Sequence, residues 1–214
     1  MVSMKKMFVY GASGHGKVVA DILLACKEHD FVGFIDDNDE LQGQTILGRP
    51  VCGNGNWLQL EAGKMRIAIA LGIGNNFVRQ QVAGKCLAWG TELTTVMHPS
   101  AAVSGSARLG SGTVVMAQAA INPDAKIGRG AIVNTAASVD HDVEIGDFAH
   151  VAPNATMGGA SRLGMLSQLG IGAVIIQNVG IGARSIVGAG AVVVSDIPDG
   201  VVAFGVPARI HRKS

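Results

Sequence analysis

The 214-residue chain has few of the residues that build disulfide scaffolds or nucleic-acid platforms. Its three cysteines, Cys26, Cys52 and Cys86, stand far apart without a CxxC pair. Neither a disulfide framework nor a zinc knuckle is expected, and a reducing, cytoplasmic setting is. Aromatic residues make up 4%, too few for a platform that stacks single-stranded nucleic acid. Charged residues make up 15% and the net charge is +1, so no general field draws in nucleic acid or a membrane surface. Hydrophobic residues reach 48%, yet no uninterrupted apolar run approaches the ~20 residues that cross a bilayer. Lys5 and Lys6 precede an apolar segment that Gly11 ends too early for a signal-peptide core. These absences lead to the expectation of a soluble protein with no membrane insertion and no nucleic-acid partner.

What the chain has in abundance is a period of six. Every sixth residue from Val103 is aliphatic: Leu109, Val115, Ile121, Ile127, Val133, Val139, Ile145, Val151, Met157, Leu163, Leu169, Ile175, Ile181, Val187 and Val193. Four places after each stands a small or β-branched residue, such as Ala119, Ala131, Ala155 or Ser167. Gly often follows the aliphatic residue directly, as at Gly110, Gly128, Gly146, Gly164 and Gly182. Such a period matches neither a helix nor an alternating strand and marks a parallel β-helix of short strands with a corner after each. With three hexads per triangular coil, the aliphatic residues are expected to fill the prism from its corners, small residues to fit its interior, and the glycines to supply positive φ at the turns. The hydrophobic part of Asp199 to Ser214 is then expected to cap the open end, and its basic tail offers charge to a phosphate.

The first ninety-odd residues follow another rule. Lys6–Tyr10 reads as a strand, Gly11–Gly16 as a glycine turn, and Val18, Val19, Ile22, Leu23 and Cys26 have helical spacing. Strands are also expected at Phe31–Ile35, Arg66–Leu71 and Leu93–Met97, with a helix from about Phe77 to Leu87 and a polar, glycine-rich connection over 38–65. Alternating strands and helices imply a small parallel sheet that binds its ligand at the carboxyl ends of the strands. The expected division is an α/β Rossmann-like domain over 1–97 and a parallel β-helix over 98–214.

Gly11–Gly16 gathers backbone N–H groups at a helix N-terminus, where phosphate binds. It is a near miss for two fingerprints: Val19 replaces the third glycine of a dinucleotide turn, and Val18 replaces the magnesium-holding Ser or Thr of a P-loop. Phosphate binding without ATP hydrolysis is the reading, beside the plainer one of an ordinary tight turn. Asp36 and Asp37, after the second strand, suit a ribose hydroxyl or base N–H groups, or are solvated loop acids. In the repeat, polar residues concentrate at Asn134 to Ser138 and Asp140 to Glu144, with His150 nearby. His141 suits a general base and Asp142 a carboxylate that orients it. Eighteen residues complete one coil, so Gly159 should lie over His141 with its N–H near a developing oxyanion. His29, His98 and His211 are read as surface histidines. A zinc site would need three ligands, and the repeat offers only His141 and His150, so no metal is expected.

Taken together, Gly11-Ala-Ser-Gly-His-Gly16, Phe34-Ile-Asp-Asp37, Gly74-Asn-Asn76, Asn134-Thr135, His141-Asp142, Ile145-Gly146, His150 and Gly205-Val-Pro-Ala-Arg209 resemble the bacterial sugar O- and N-acyltransferases with a nucleotide-binding N-terminal domain. Within that family, the resemblance is greatest to N-acetyltransferases acting on UDP-linked 4-amino-4,6-dideoxy sugars in bacillosamine synthesis for protein glycosylation. It implies a left-handed coil, a homotrimer, and acetyl-CoA lying between adjacent coils. By the same resemblance His141 is the general base and Asp142, where the compared member has Glu, its orienting partner. Asn134 lines the site; His150, Gly159, Ile171 and Ala189 contact acetyl-CoA; Gly14, His15, Asp36, Asp37, Gly74 and Asn75 hold the UDP-sugar. The expected reaction is direct N-acetylation at C4. O-acetylation of sialic acid or another sugar hydroxyl, N-acetylation of a GDP-linked amino sugar, and a non-catalytic sugar-nucleotide scaffold are the alternatives.

Overall fold

The computed structural model describes residues 5–26 and 30–214; His29 lies outside them. Contacts divide the chain into two compact units, Met1–Pro99 and Ser100–Ser214.

The first unit is a sheet with helices. Its strands are β1 (Lys6–Tyr10), β2 (Asp30–Ile35), β3 (Thr45–Ile46), β4 (Arg49–Gly53), β5 (Ile67–Leu71) and β6 (Glu92–Leu93), in the order β3-β4-β2-β1-β5-β6. Helices are α1 (Gly14–Cys26), α2 (Gly55–Ala62) and α3 (Asn76–Ala88). All pairs are parallel except the β3–β4 hairpin. In that hairpin Leu47 and Gly48 both hold positive φ, 50° and 73°, the twist that a two-residue turn needs. The expected connection over 38–65 therefore contains two strands and a helix. Leucine is not a turn residue by type, which hides the hairpin in the sequence. The expected strand Leu93–Met97 is two short pieces, Glu92–Leu93 and Val96–Met97.

Strand β1 lies between β2 and β5, so the chain leaves it in both directions and opens a crevice at the carboxyl edge. Tyr10 is level with Ile35 and Leu71. Gly11, Asp36 and Gly72 therefore emerge side by side, joined by Gly11 N donating to Ile35 O and Gly72 N to Tyr10 O. A Cβ on Gly16 would collide with the Gly11 carbonyl, and one on Gly11 would stand 2.6 Å from the Gly72 carbonyl. Those two glycines bring α1 onto the sheet. A Cβ on Gly14 would meet nothing within 4 Å, so packing does not call for glycine there.

The second unit is a left-handed parallel β-helix. Each hexad gives a two-residue strand whose second member is the aliphatic residue. Val103, Ile121, Val139, Met157, Ile175 and Val193 stack in one register. Leu109, Ile127, Ile145, Leu163 and Ile181 stack in a second, and Val115, Val133, Val151, Leu169 and Val187 in a third. The aliphatic residues thus project from faces rather than corners, and with the small residues form one buried core. Buried hydroxyls find carbonyls: Thr113 donates to Gly128 O, Ser167 to Gly182 O and Ser185 to Pro198 O.

The role expected of the glycines is corrected. Positive φ occurs three places after the aliphatic residue, and mostly without glycine: Gln118, Asp124, Ala136, Asp142, Phe148, Asn154, Ala160, Leu166, Asn178 and Arg184 have φ between 55° and 62°. The glycines that follow the aliphatic residue directly serve close approach instead. A Cβ on Gly110 or Gly128 would stand 2.5 Å from the N of Arg129 or Asp147, and one on Gly146 would run into the N of Met165, each in the next coil. Along this face the missing side chains leave a concavity of about 680 Å³ lined by Lys126, Glu144, Arg162 and the glycine column.

After the last rung, Val201–Gly205 continues one face in parallel and turns back antiparallel as Ala208–Lys213, the cap expected of this segment. Gly146→Ala should therefore cost about 2–3 kcal/mol by overpacking against backbone. Gly172→Ala, at φ +64° with open space, should cost only about 1 kcal/mol for the left-handed conformation. Urea midpoints of the two variants check the order; equal losses would refute the distinction.

Candidate functional site

One coil corner carries the imidazole. After the strand Ser138–Val139 the chain turns through Asp140, His141 and Asp142. Asp142 adopts φ 58°, which brings its carboxylate back alongside its neighbour. Its Oδ2 is 2.9 Å from His141 Nδ1. A carboxylate only accepts, so Nδ1 carries the proton and Nε2 keeps its lone pair. One coil on lies Gly159, where a Cβ would stand 2.7 Å from His141 Cε1 and 2.8 Å from Nε2. The absence of a side chain at Gly159 is what lets the ring lie there.

A second acid, Asp140, to which the sequence reading gave no role, holds the backbone of His141. Asp140 Oδ1 accepts from the His141 backbone N at 2.8 Å and from Asn122 Nδ2 at 2.9 Å. The Asn122 bond is the largest cause holding the Asp140 carboxyl below its ordinary range, and the Gly159 N–H contributes to the same effect. That amide, expected to serve an oxyanion, thus already faces a carboxylate. The hydrogen bond to Asp142 and then the charge of Asp140 raise the His141 pKa above its ordinary 6.5. The ring is exposed, so neighbouring acids rather than burial tune it.

Asn134 and His150 sit apart from His141. Asn134 follows the strand Ile132–Val133, which pairs with His150–Val151, and its Nδ2 donates to His150 Nε2 at 2.9 Å. Asn134 Oδ1 accepts from Thr135 N. This pair occupies the preceding corner. Ile171 and Ala189 belong to that same corner column: Asn154 N donates to Thr135 O, Gly172 N to Pro153 O and Gly190 N to Ile171 O. Ile171 is exposed. The expected acetyl-CoA residues therefore fall at two corners of the β-helix, Gly159 with His141, and Ile171 and Ala189 with Asn134, whose partner His150 stands on the adjoining strand. Those two corner columns border one face.

In the first unit the expected substrate residues gather at the carboxyl edge, but several are held by the protein itself. Asp36 Oδ2 accepts from Ala12 N at 2.7 Å and Oδ1 from Asn38 N at 2.9 Å, tying the second strand to the glycine turn. Asp37 turns away: it accepts from Tyr10 Oη at 2.9 and 3.0 Å and from Gly55 N at 2.8 Å. It lines a cleft of about 290 Å³ with Tyr10, Asn54, Lys85 and Trp89. Burial, then the bond to Asp37, pushes the Tyr10 hydroxyl pKa far up. A larger cleft, about 570 Å³, lies between Ala12, Ser13 and Lys17 on one side and Leu41, Gln44 and Thr45–Leu47 on the other.

Asn75 caps α3, its Oδ1 accepting from Val78 N at 3.1 Å. Gly74 packs against the His15 ring, and its carbonyl accepts from Arg79 Nη1 at 3.0 Å. Arg79 is fully buried and also donates to Ile73 O and to Asn76 Oδ1; only a buried cation's context, not its sequence, marks it. Burial and then the Arg79 charge lower the His15 pKa to about 4.

The two histidines should therefore titrate in opposite directions. An NMR titration should give His141 a midpoint above 6.5, moved down by Asp142→Asn, while His15 stays neutral until about pH 4. Because the folded pKa of His15 is depressed, its linkage lowers stability as pH falls from 6.5 toward 4 and leaves it unaffected above. A His141 midpoint unchanged by Asp142→Asn would refute the pairing.

Among the described residues no group of three or more His, Cys, Asp or Glu is placed to hold a metal ion, and no helix is long and apolar enough to cross a membrane.

Comparison with known proteins places the chain in a family. Residues 6–86 match the PglD N-terminal domain. The chain is 40% identical to the perosamine N-acetyltransferase of Caulobacter crescentus, whose structure as a histidine mutant with CoA and GDP-perosamine superposes with a TM-score of 0.91 over 98% of each chain. The acetyltransferase domain of PglB from Neisseria gonorrhoeae, in complex with acetyl coenzyme A, is also 40% identical, with a TM-score of 0.92 over 98% of this chain and 100% of that one. UDP-N-acetylbacillosamine N-acetyltransferase of Bacillus subtilis is 39% identical over 117 residues, 53% of this chain and 52% of that protein, so the match spans about half of each. With a relative of 40% identity matched over nearly its whole length and both units accounted for, the chain belongs to the acetyl-CoA-dependent, hexapeptide-repeat sugar N-acetyltransferases.

Proposed function

We propose that this chain moves an acetyl group from acetyl-CoA to the C4 amine of a UDP-linked 4-amino-4,6-dideoxy sugar, within bacillosamine synthesis for protein glycosylation, with His141 as general base. The observation that carries the reading is the His141 ring, held through Nδ1 by Asp142, with Nε2 against a residue that has no side chain.

The amine lone pair attacks the thioester carbonyl carbon while Nε2 takes the amine proton. The C–S bond then breaks, and that proton passes to the departing CoA thiolate. Asp142 and Asp140 stabilise the transient imidazolium, which the raised pKa of the ring expresses. The cysteines, Cys26, Cys52 and Cys86, all precede the coil, which supports direct attack over a cysteine-linked acyl-enzyme. In the first unit, the backbone N–H groups at Gly14 to Gly16 hold the diphosphate and the crevice beside Asp36 takes the rest of the nucleotide. A cytoplasmic setting suits three free cysteines.

The working unit in this reading is a homotrimer. The face between the two functional columns presents Ala102, Ala120, Ser138, Thr156, Val174 and Val192, none charged, whereas the next face presents Arg108, Lys126, Glu144 and Arg162. Packing of three uncharged faces around an axis sets the His141 corner of one subunit beside the Asn134 and Ile171 corner of the next. Acetyl-CoA then lies in the groove between them.

A GDP-linked acceptor is the second reading, favoured by the 40% identity to the Caulobacter enzyme bound to GDP-perosamine. Thiol release with UDP- and GDP-linked 4-amino sugars, and with sialic acid as an O-acetylation control, separates the acceptors. His141→Ala should lower turnover by about 10²–10⁴-fold; turnover at the wild-type rate in that variant would remove His141 from the mechanism. Sedimentation should give three chains per particle, and a monomer active at full rate would refute the shared site.

A further inference from the structure

At the corners of the coil the ladder leaves one backbone N–H over. The residue after the aliphatic one donates to the next coil, as Asp140 N does to Met157 O, and the third corner residue donates to the previous coil, as Asp142 N does to Pro123 O. The second corner residue belongs to neither set, so its N–H needs a side-chain acceptor. Asp147 Oδ1 serves Arg129 N, Asp199 Oδ1 serves Ala183 N, Asn134 Oδ1 serves Thr135 N, and Asp140 Oδ1 serves His141 N.

These caps are of two kinds. Asp147 and Asp199 come from the layer that follows the N–H they serve. Asn134 and Asp140 directly precede the residue they serve, and theirs are the two corners that carry the candidate site residues. Each of these two is also gripped by a side chain from an adjoining coil: Asn134 donates to His150 Nε2, and Asp140 accepts from Asn122 Nδ2 at 2.9 Å.

Asn122 stands one coil before Asp140, since Ile121 is in register with Val139. Residue 123 is proline, which has no N–H to cap, so Asn122 has no such task at its own corner. Its bond to Asp140 is the one that its side chain makes among the described residues. Asn122 and Pro123 thus carry the whole turn of the next coil, Asn122 holding Asp140 and the Pro123 carbonyl holding Asp142 N at 3.1 Å. Asp140 and Asp142 are in turn the charged groups that act on His141, the first bonded to its backbone N–H and the second to Nδ1.

We propose that Asn122 is a positioning residue for the acetyl transfer, fixing the Asp140 carboxylate so that His141 is held with Nε2 against Gly159. This rests on the reading of His141 as general base and deepens it. Asn122 acts only through Asp140. A ring slightly turned leaves both substrates bound but meets the amine proton badly, so the loss falls on turnover rather than on binding.

Asn122 is exposed, so its replacements leave the core intact. Asn122→Leu should lower kcat by about 10- to 100-fold, with KM for acetyl-CoA and for the amino sugar unchanged. It should also bring the His141 NMR midpoint down toward 6.5 as Asp140 is released. Asn122→Gln, which keeps the N–H donor, should recover part of both. In Asn122→Asp two carboxylates face each other, which raises the pKa of one, and only a protonated carboxyl at 122 donates to Asp140. The activity of that variant relative to wild type should therefore rise as the pH falls toward about 5. Wild-type kcat in Asn122→Leu overturns the positioning role. A lowered kcat with an unmoved His141 midpoint overturns it too, since that marks a structural effect alone. If His141→Ala turns over at the wild-type rate, the general base falls, and a midpoint moved by Asn122→Leu still records the brace. If His141→Ala is inactive and Asn122→Leu is fully active, the positioning role alone falls.

Discussion

The second unit depends on one constraint: each rung must donate its backbone N–H groups to the rung one coil away. That ladder runs from Ala102 N to Ala119 O through Gly188 N to Ala203 O, with the Asp196 carboxylate standing in for a carbonyl at Gly180 N, and it leaves no room for slippage, because a shift of one residue would turn every aliphatic side chain out of the core. The core follows from the ladder rather than the other way round. Aliphatic residues occupy the inward positions of the strands, and small ones the inward positions of the turns. The same rule sets the chemistry. His141 lies against Gly159, and Ile171 stands in line with Ala189, because residues one coil apart share an azimuth.

Two histidines show how one chain uses opposite means to fix a protonation state. His15 is pressed neutral by burial and by the charge of Arg79. His141 is exposed and takes its basicity from two carboxylates, one on each side in sequence. Asp142 can reach the ring because it sits at the left-handed position of its turn, a conformation that aspartate tolerates better than most residues. The imidazole–carboxylate pairing and the coil geometry therefore share a residue.

How much of this was legible in the sequence varied with the kind of rule involved. The repeat was plain, since sixteen aliphatic positions in a single phase admit few backbones. The strand–turn–helix around Gly11–Gly16 and the pairing of His141 with Asp142 were also readable, being local. Hairpin β3–β4 was not, because Leu47 holds a glycine-like φ for tertiary reasons that composition does not carry. The function of Gly128 and Gly146 was misread for a related reason: a short period shows that glycine recurs, but only the stacked coils show that the neighbouring backbone forbids a side chain. Asp36 and Asp37 looked like a matched pair, yet adjacent residues of an extended chain point to opposite sides, and each found its own partners. Asp140 was noted without a role and Arg79 was not noted, because their importance lies in what surrounds them.

The ladder also limits how this architecture can change length. Six residues added to the coil would carry everything downstream to the adjacent face, so that the Ile171 column would no longer continue the line of Thr135. Eighteen would restore the alignment and lengthen the prism by one layer, moving the C-terminal hairpin about 4.8 Å farther from His141. Homologous coils can therefore differ in height only by whole turns if the residues of one column are to stay in line. The spacing between the His141 corner and the C-terminal hairpin then becomes a ruler graduated in strand spacings.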